Sequence, residues 1–211
     1  MIMDLLEEEI KRLKAPVVGV IAERTGDPFR ILISCLLSLR TRDETTADAS
    51  ERLFRLADRP SAMLALAPQE IERVIYPVSF YRNKTKHIVA ICRILETRYG
   101  GRVPKRLDQL LALPGVGLKT ANLVLGLAYR RPAICVDTHV HRISNRIGYI
   151  RTRSPEESER VLRKQLPKRF WIAYNDLLVP FGQFVCKPIF PFCSRCVIRA
   201  HCRRIGVKRS R

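Results

Sequence analysis

Leu113-Pro114-Gly115-Val116-Gly117-Leu118-Lys119-Thr120-Ala121 is the stretch whose reading decides the fold. Upstream, Leu107-Asp108-Gln109-Leu110-Leu111-Ala112-Leu113 is long enough for about two helical turns. Downstream, Leu118, Ala121, Leu125 and Tyr129 recur at helical spacing. Pro114 ends the first helix, and Gly115 and Gly117 permit a tight turn with positive φ and close approach of the backbone to a ligand. The unit therefore reads as helix, hairpin, helix, with the first amides of the second helix uncovered. Such amides favour an anion, and in a chain this basic the fitting anion is nucleic-acid phosphate. Taken alone, the nonapeptide also reads as an ordinary glycine-rich connection between two helices.

Composition bounds the rest. The 211 residues can bury a core either as one domain or as two small ones. With 39 Lys and Arg against 20 Asp and Glu, the formal net charge of +19 exceeds what solubility requires and points to a polyanionic partner. A membrane surface is the competing polyanion. No apolar run approaches the roughly 20 residues of a spanning helix. The N-terminal stretch, Asp4 then Glu7-Glu8-Glu9, is unlike a signal peptide, so a cytosolic protein with no membrane partner is expected. Its seven cysteines are then thiols or metal ligands rather than disulfides.

Taken in order, the chain reads as helices separated by turns. Asp4 to Lys14 is a charged surface helix. Asp27-Pro28 supplies a cap and a first-turn proline for Phe29 to Leu39, whose apolar residues lie nearly all round, predicting the buried centre of a domain with Cys35 as a small core residue. Amphipathic helices follow over residues 44–57, 68–78 and 83–99. Ser154-Pro155-Glu156-Glu157 is a capping box that starts a helix to about Gln165, and residues 170–184 are the last long apolar stretch. No strand-length alternation lies between turn signals, so the class is all-α.

The C-terminal part carries a metal pattern: Cys186, Cys193, Cys196 and Cys202, spaced C-x6-C-x2-C-x5-C. Structural zinc usually joins two close pairs across a longer span, whereas here one C-x2-C pair is flanked by wider loops. Unequal loops suit a [4Fe-4S] cluster, which is favoured over zinc, with chance placement a third reading. Pro188, Ile189, Phe190, Pro191 and Phe192 are expected to form an apolar shell. From Cys186 onward there are eight Lys or Arg and no acid, which reads either as a solvated tail or as a braced loop offering cations to phosphate.

The hairpin from Leu113 to Ala121, the segment Val136-Asp137-Thr138-His139-Val140 eighteen residues after Lys119, and the C-x6-C-x2-C-x5-C pattern occur together in an order and spacing that resemble the endonuclease III family of helix-hairpin-helix DNA glycosylases. The resemblance runs from Ile31 to Cys202. It implies two helical domains with DNA in a cleft: a six-helix bundle over residues 22–132, and a second domain joining residues 1–21 to 133–211 with a [4Fe-4S] cluster held by the four cysteines. It also implies a monomeric, nucleoid-associated enzyme that excises oxidised pyrimidines from duplex DNA and cuts the strand at the abasic site by β-elimination. The competing readings are a mismatch glycosylase removing uracil or thymine opposite guanine, and a non-catalytic iron-sulfur DNA-binding module.

Within that resemblance Lys119 stands at the position of the catalytic lysine and Asp137 at that of the essential aspartate. A helix start disfavours a nearby cation and so helps keep an amine nucleophilic. The plainer readings are a phosphate contact for Lys119 and a helix N-cap for Asp137. Gly115, Gly117, His139 and Lys187 fall at DNA-contacting positions of the family. His139 and His141, two apart, face different directions and do not form a zinc pair. Phe80 falls where relatives carry an apolar wedge, with core packing at a helix start as its alternative. Arg40 replaces a frequent glutamine that fills the space left by the extruded nucleotide, which implies a preference linked to the opposite base. The loop from Lys187 to Phe192 carries one cation where relatives often have more.

Overall fold

Residues 2–211 are described by the computed structural model. In chain order the helices are α1 (Ile2–Ile10), α2 (Val17–Thr25), α3 (Pro28–Ser38), α4 (Asp43–Leu56), α5 (Pro60–Ala65), α6 (Pro68–Ile75), α7 (Tyr81–Tyr99), α8 (Leu107–Leu111), α9 (Leu118–Tyr129), α10 (Thr138–Ile147), α11 (Pro155–Gln165) and α12 (Trp171–Phe184). Three short 3-10 turns accompany them, and there is no strand among the described residues. The chain forms two compact units, one of Val17–Arg131 and one of the residues up to Pro16 with Pro132–Arg211.

The unit of Val17–Arg131 is built round α3. Asp27 accepts the Phe29 amide at 2.8 Å, and Pro28 presets the first turn, so this helix starts on local chemistry. From Ile31 to Leu37 every residue is buried, and a helix apolar on all sides requires neighbours on all sides. α2, α4, α7 and α9 supply them. Cys35 is one of the buried residues, a core position as its setting predicts. α5 and α6 pack on α7. Neither α2 nor α5 shows in the sequence pattern. A six-residue helix started by Pro60 and anchored by Met63 is too short for periodicity to register, and so owes its helicity to packing.

In the other unit the core gathers on α12, where Tyr174, Leu178 and Phe181 meet Leu6 of α1, Val140 and Ile143 of α10, and Leu162. The buried Tyr174 hydroxyl pairs with Ser144 Oγ at 2.9 Å, and Trp171 Nε1 donates to the Leu166 carbonyl at 2.8 Å, so the polar tips of the aromatics are satisfied. Gly182 lets α10 approach α12: a Cβ there would lie 2.5 Å from His139 Nδ1. Ser154 caps α11 by accepting the Glu157 amide at 3.2 Å, and Glu157 Oε2 accepts the Arg153 amide at 2.7 Å, close to the expected capping box.

Candidate active site and cysteine centre

The hairpin between α8 and α9 uses its two glycines differently. Gly115 has φ +76, and a Cβ there would meet His87 Nδ1 at 2.4 Å, so both backbone conformation and packing demand glycine. Gly117, expected to share the positive φ, instead sits at φ −90 and ψ 176 as the N-cap of α9. A Cβ on it would meet nothing within 4 Å. Its bare backbone leaves open space rather than relieving a clash. No side chain caps α9, whose second residue is the exposed Lys119.

Two loops of the same unit carry the other expected residues. Arg40, exposed just beyond α3, and Phe80, at the N-cap position of α7, both adopt left-handed backbone with φ 56 and 58. Phe80 is 58% exposed, which removes core packing as its role. The Arg40 guanidinium carbon lies 5.5 Å from the centroid of the Phe80 ring. Behind them the Lys84 ammonium donates to the carbonyls of Leu37 at 2.8 Å and Leu39 at 2.7 Å. Burial lowers its pKa to about 8.

In the other unit Asp137 follows Ala133, Ile134, Cys135 and Val136, all buried. Its Oδ1 accepts the amides of His139 and Val140, each at 2.9 Å, so the carboxylate is the N-cap of α10. The half-buried His139 contacts Arg142 Nη2 through Nδ1 at 3.1 Å, whereas His141 Nδ1 pairs with Ser158 Oγ at 2.7 Å. The two imidazoles thus face different partners.

Cys186, Cys193, Cys196 and Cys202 all line one pocket. The apolar wall comes from Ile143, Ile147, Phe181, Val185, Ile198 and Val207, with Pro191 and Phe192. Ile189 and Phe190, expected in that shell, are 75% and 41% exposed. These two residues instead line a neighbouring groove with Gly206, Val207 and Arg209. Among the described residues no three Cys, His, Asp or Glu side chains converge on a single-ion site. Burial, opposed by a hydrogen bond from the Ile198 amide and aided by the three other cysteines, leaves the Cys196 thiol raised to about 11. Arg146 Nη1 and the Arg204 amide each donate to a sulfur, of Cys186 and Cys202, at 3.4 Å. Four cysteines lining one largely apolar pocket, two of their sulfurs met by N–H donors, fit a centre that supplies positive charge to thiolates.

Two residues of this centre escaped the sequence reading. Arg142 donates to the carbonyls of Gly182 and Cys186, and Arg146 to those of Lys187 at 2.6 Å and Pro188 at 2.7 Å. Their four-residue spacing on α10 is the signal that could have found them, since it puts both on one helix face. The exposed Lys187 lies over the Phe192 ring with Nζ 5.2 Å from its centroid, and Arg195 and Arg211 share that ring.

Residues 33–168 match the model of the HhH-GPD superfamily base excision DNA repair proteins. The chain is 46% identical over 202 residues to the endonuclease III of Thermotoga maritima, covering 96% of this chain and 92% of that protein. Among solved structures it resembles a non-covalent endonuclease III–DNA complex, with a TM-score of 0.85 and 35% identity over 96% of this chain and 92% of that one. It also resembles a trapped endonuclease III–DNA covalent intermediate, with a TM-score of 0.79 and 38% identity over 84% of each chain. A family match across more than half the chain, joined by near full-length kinship, places the protein in the HhH-GPD superfamily of base excision DNA repair proteins, among the endonuclease III relatives.

Proposed function

We propose that this protein is a bifunctional DNA repair enzyme that removes oxidised pyrimidines from duplex DNA and then cleaves the strand at the abasic site by β-elimination. The observation that carries the reading is Lys119: an exposed amine in the first turn of an uncapped helix, just beyond the glycine hairpin, in a chain 38% identical to an endonuclease III trapped covalently on DNA.

A base inside the stack is out of reach, so the damaged nucleotide is rotated into a pocket. The Lys119 amine attacks C1′ of the sugar. The bond from C1′ to the base breaks, its electron pair leaves on the base, and the base takes up a proton. Opening of the sugar ring gives a protonated imine at C1′, which acidifies C2′. Loss of a C2′ proton then expels the 3′ phosphate. Asp137 steadies the positive charge that grows on the sugar, and its two main-chain amide bonds hold that carboxylate in a fixed position. Phe80 enters the vacated stack and Arg40 meets the orphaned partner base. The amides at the start of α9, approached past Gly117, receive phosphate, as does Lys187.

Cys186, Cys193, Cys196 and Cys202 would hold a [4Fe-4S] cluster. Bound there, it supplies cross-links between thiolates that brace the loop bearing Lys187.

Borohydride tests the central step, because it reduces an imine between enzyme and abasic DNA to a stable link. Wild-type protein should give one cross-linked species, mapping to the peptide that contains Lys119. Lys119→Gln should abolish it while leaving binding nearly intact. Undiminished trapping by that variant, or a cross-link mapping elsewhere, removes Lys119 from the mechanism and favours a mismatch glycosylase without lyase activity.

A further inference from the structure

We propose that Lys84 is a positioning residue that locks Arg40 and Phe80 into one unit for entering the base stack, an inference that rests on the glycosylase reading above. Both residues hold left-handed backbone without being glycine, a conformation that persists only where its surroundings over-determine it. Lys84 touches both loops. Its amide donates to the Phe80 carbonyl at 3.0 Å, fixing the first turn of α7. Its ammonium donates to Leu39 O at 2.7 Å and Thr41 Oγ1 at 3.2 Å, the residues on either side of Arg40. A third bond reaches Leu37 O at 2.8 Å, in the last turn of α3, where a cation suits the helix dipole. Thr41 closes the circuit, because its Oγ1 also accepts the Ser79 amide at 3.2 Å, directly before Phe80.

Apart from the bond to Leu37, each bond in this set falls on the Phe80 carbonyl or on a direct neighbour of Arg40 or Phe80, and none touches either side chain. The consequence is the stacked arrangement itself, with Arg40 over the Phe80 ring at 5.5 Å. Lys84 is only 6% exposed, and main-chain and hydroxyl oxygens, not a carboxylate, are its hydrogen-bond partners among the described residues. Filling that volume would require only an apolar side chain. A buried ammonium is costly, so its retention fits a task of direction, namely gathering oxygens from a second loop.

The test compares single-turnover rates of the full chain on a duplex with thymine glycol opposite adenine and on one with a pre-formed abasic site. Lys84→Met removes the ammonium, and Thr41→Val, at a half-buried loop position, removes the shared hydroxyl with little risk to folding. Both variants should slow release of the paired thymine glycol by about tenfold or more while abasic cleavage stays within about twofold, because a displaced wedge penalises only the step that unstacks a base. A 2-aminopurine placed beside the lesion should correspondingly brighten less on binding the variants. Equal losses on both substrates, or no loss on either by Thr41→Val, would overturn the inference while an active wild type keeps the glycosylase reading. A wild-type protein inert on both duplexes overturns the two together.

Discussion

Arg142 Nη2, on α10, donates to the main-chain carbonyl of Cys186 at 2.9 Å, tying the helix that Asp137 caps to the first cysteine of the centre. Its Nε reaches the same carbonyl at 3.2 Å and its Nη2 also reaches Gly182 O, so one guanidinium serves α12 and the loop after it. Lysine cannot reproduce that fork. Arg142→Lys should therefore lower stability by about 2 kcal/mol, since buried carbonyls lose charge-assisted bonds, and should reduce iron retention. Wild-type protein should carry iron and sulfide at about four each per chain. Thermal denaturation with iron and sulfide analysis checks both, and stoichiometric zinc without sulfide would discard the cluster.

Phe80→Ala should barely change stability, because the ring is 58% exposed, yet it should impair excision of a paired lesion more than cleavage of abasic DNA. Arg40→Gln should alter the ranking of rates among the four opposite bases. A panel of duplexes measures both, and an unchanged ranking would leave Arg40 as a backbone contact.

Asp137 serves as a cap and is proposed to serve in the chemistry, and two substitutions separate these roles. Asparagine can still accept amides at an N-cap, so Asp137→Asn should stay within about 0.5 kcal/mol of wild type, whereas Asp137→Ala should cost about 1 kcal/mol. Base removal should fall by about a hundredfold or more in both, because each lacks the negative charge opposite the developing cation. Denaturation curves beside single-turnover rates decide the matter. Full activity in Asp137→Asn would confine the residue to capping.

The hairpin glycines predict opposite outcomes. Gly115→Ala places a side chain at φ +76 and against His87, and should destabilise the protein by about 1–2 kcal/mol. Gly117→Ala meets open space at an ordinary φ and should leave stability intact. It should nonetheless weaken duplex binding, because a methyl group blocks approach to the start of α9. Denaturation and a binding titration at fixed salt check the pair.

Lys84 gives a pH dependence whose sign follows from its lowered pKa. Unfolded, the amine holds its proton up to its ordinary value of 10.5, whereas in the fold it releases it near 8. Between those values the unfolded chain binds more protons, so stability rises with pH there, by at most about 1.4 kcal/mol per pH unit. Below pH 8 the cost of burying the charge is fully present. Relative to Lys84→Met, the wild type should gain stability from pH 8 to pH 10. A flat difference in denaturation midpoints would show that its three hydrogen bonds offset burial.

What the chain determines by itself is what local chemistry encodes. Asp27-Pro28 starts α3, Ser154 starts α11, Asp137 starts α10, and Pro114 with Gly115 turns α8 into α9, because each device acts within a few residues. The cysteine spacing is equally local, and so is the apolar wrapping of α3 that demands a surrounding bundle. Tertiary structure decides what depends on atoms far apart in the chain. Phe80 reads equally as core or wedge until its exposure is seen. Gly115 and Gly117 look alike until His87 of α7 is found against one and open space beside the other. Lys84 is an unremarkable lysine in an amphipathic helix until the end of α3, 45 and 47 residues upstream, offers it two carbonyls. Arg142 and Arg146 read as surface cations until the cysteine loop folds back on α10. In each case the backbone oxygen or side chain that gives the residue its role comes from another element, and no local pattern records a partner that only packing brings within 3 Å.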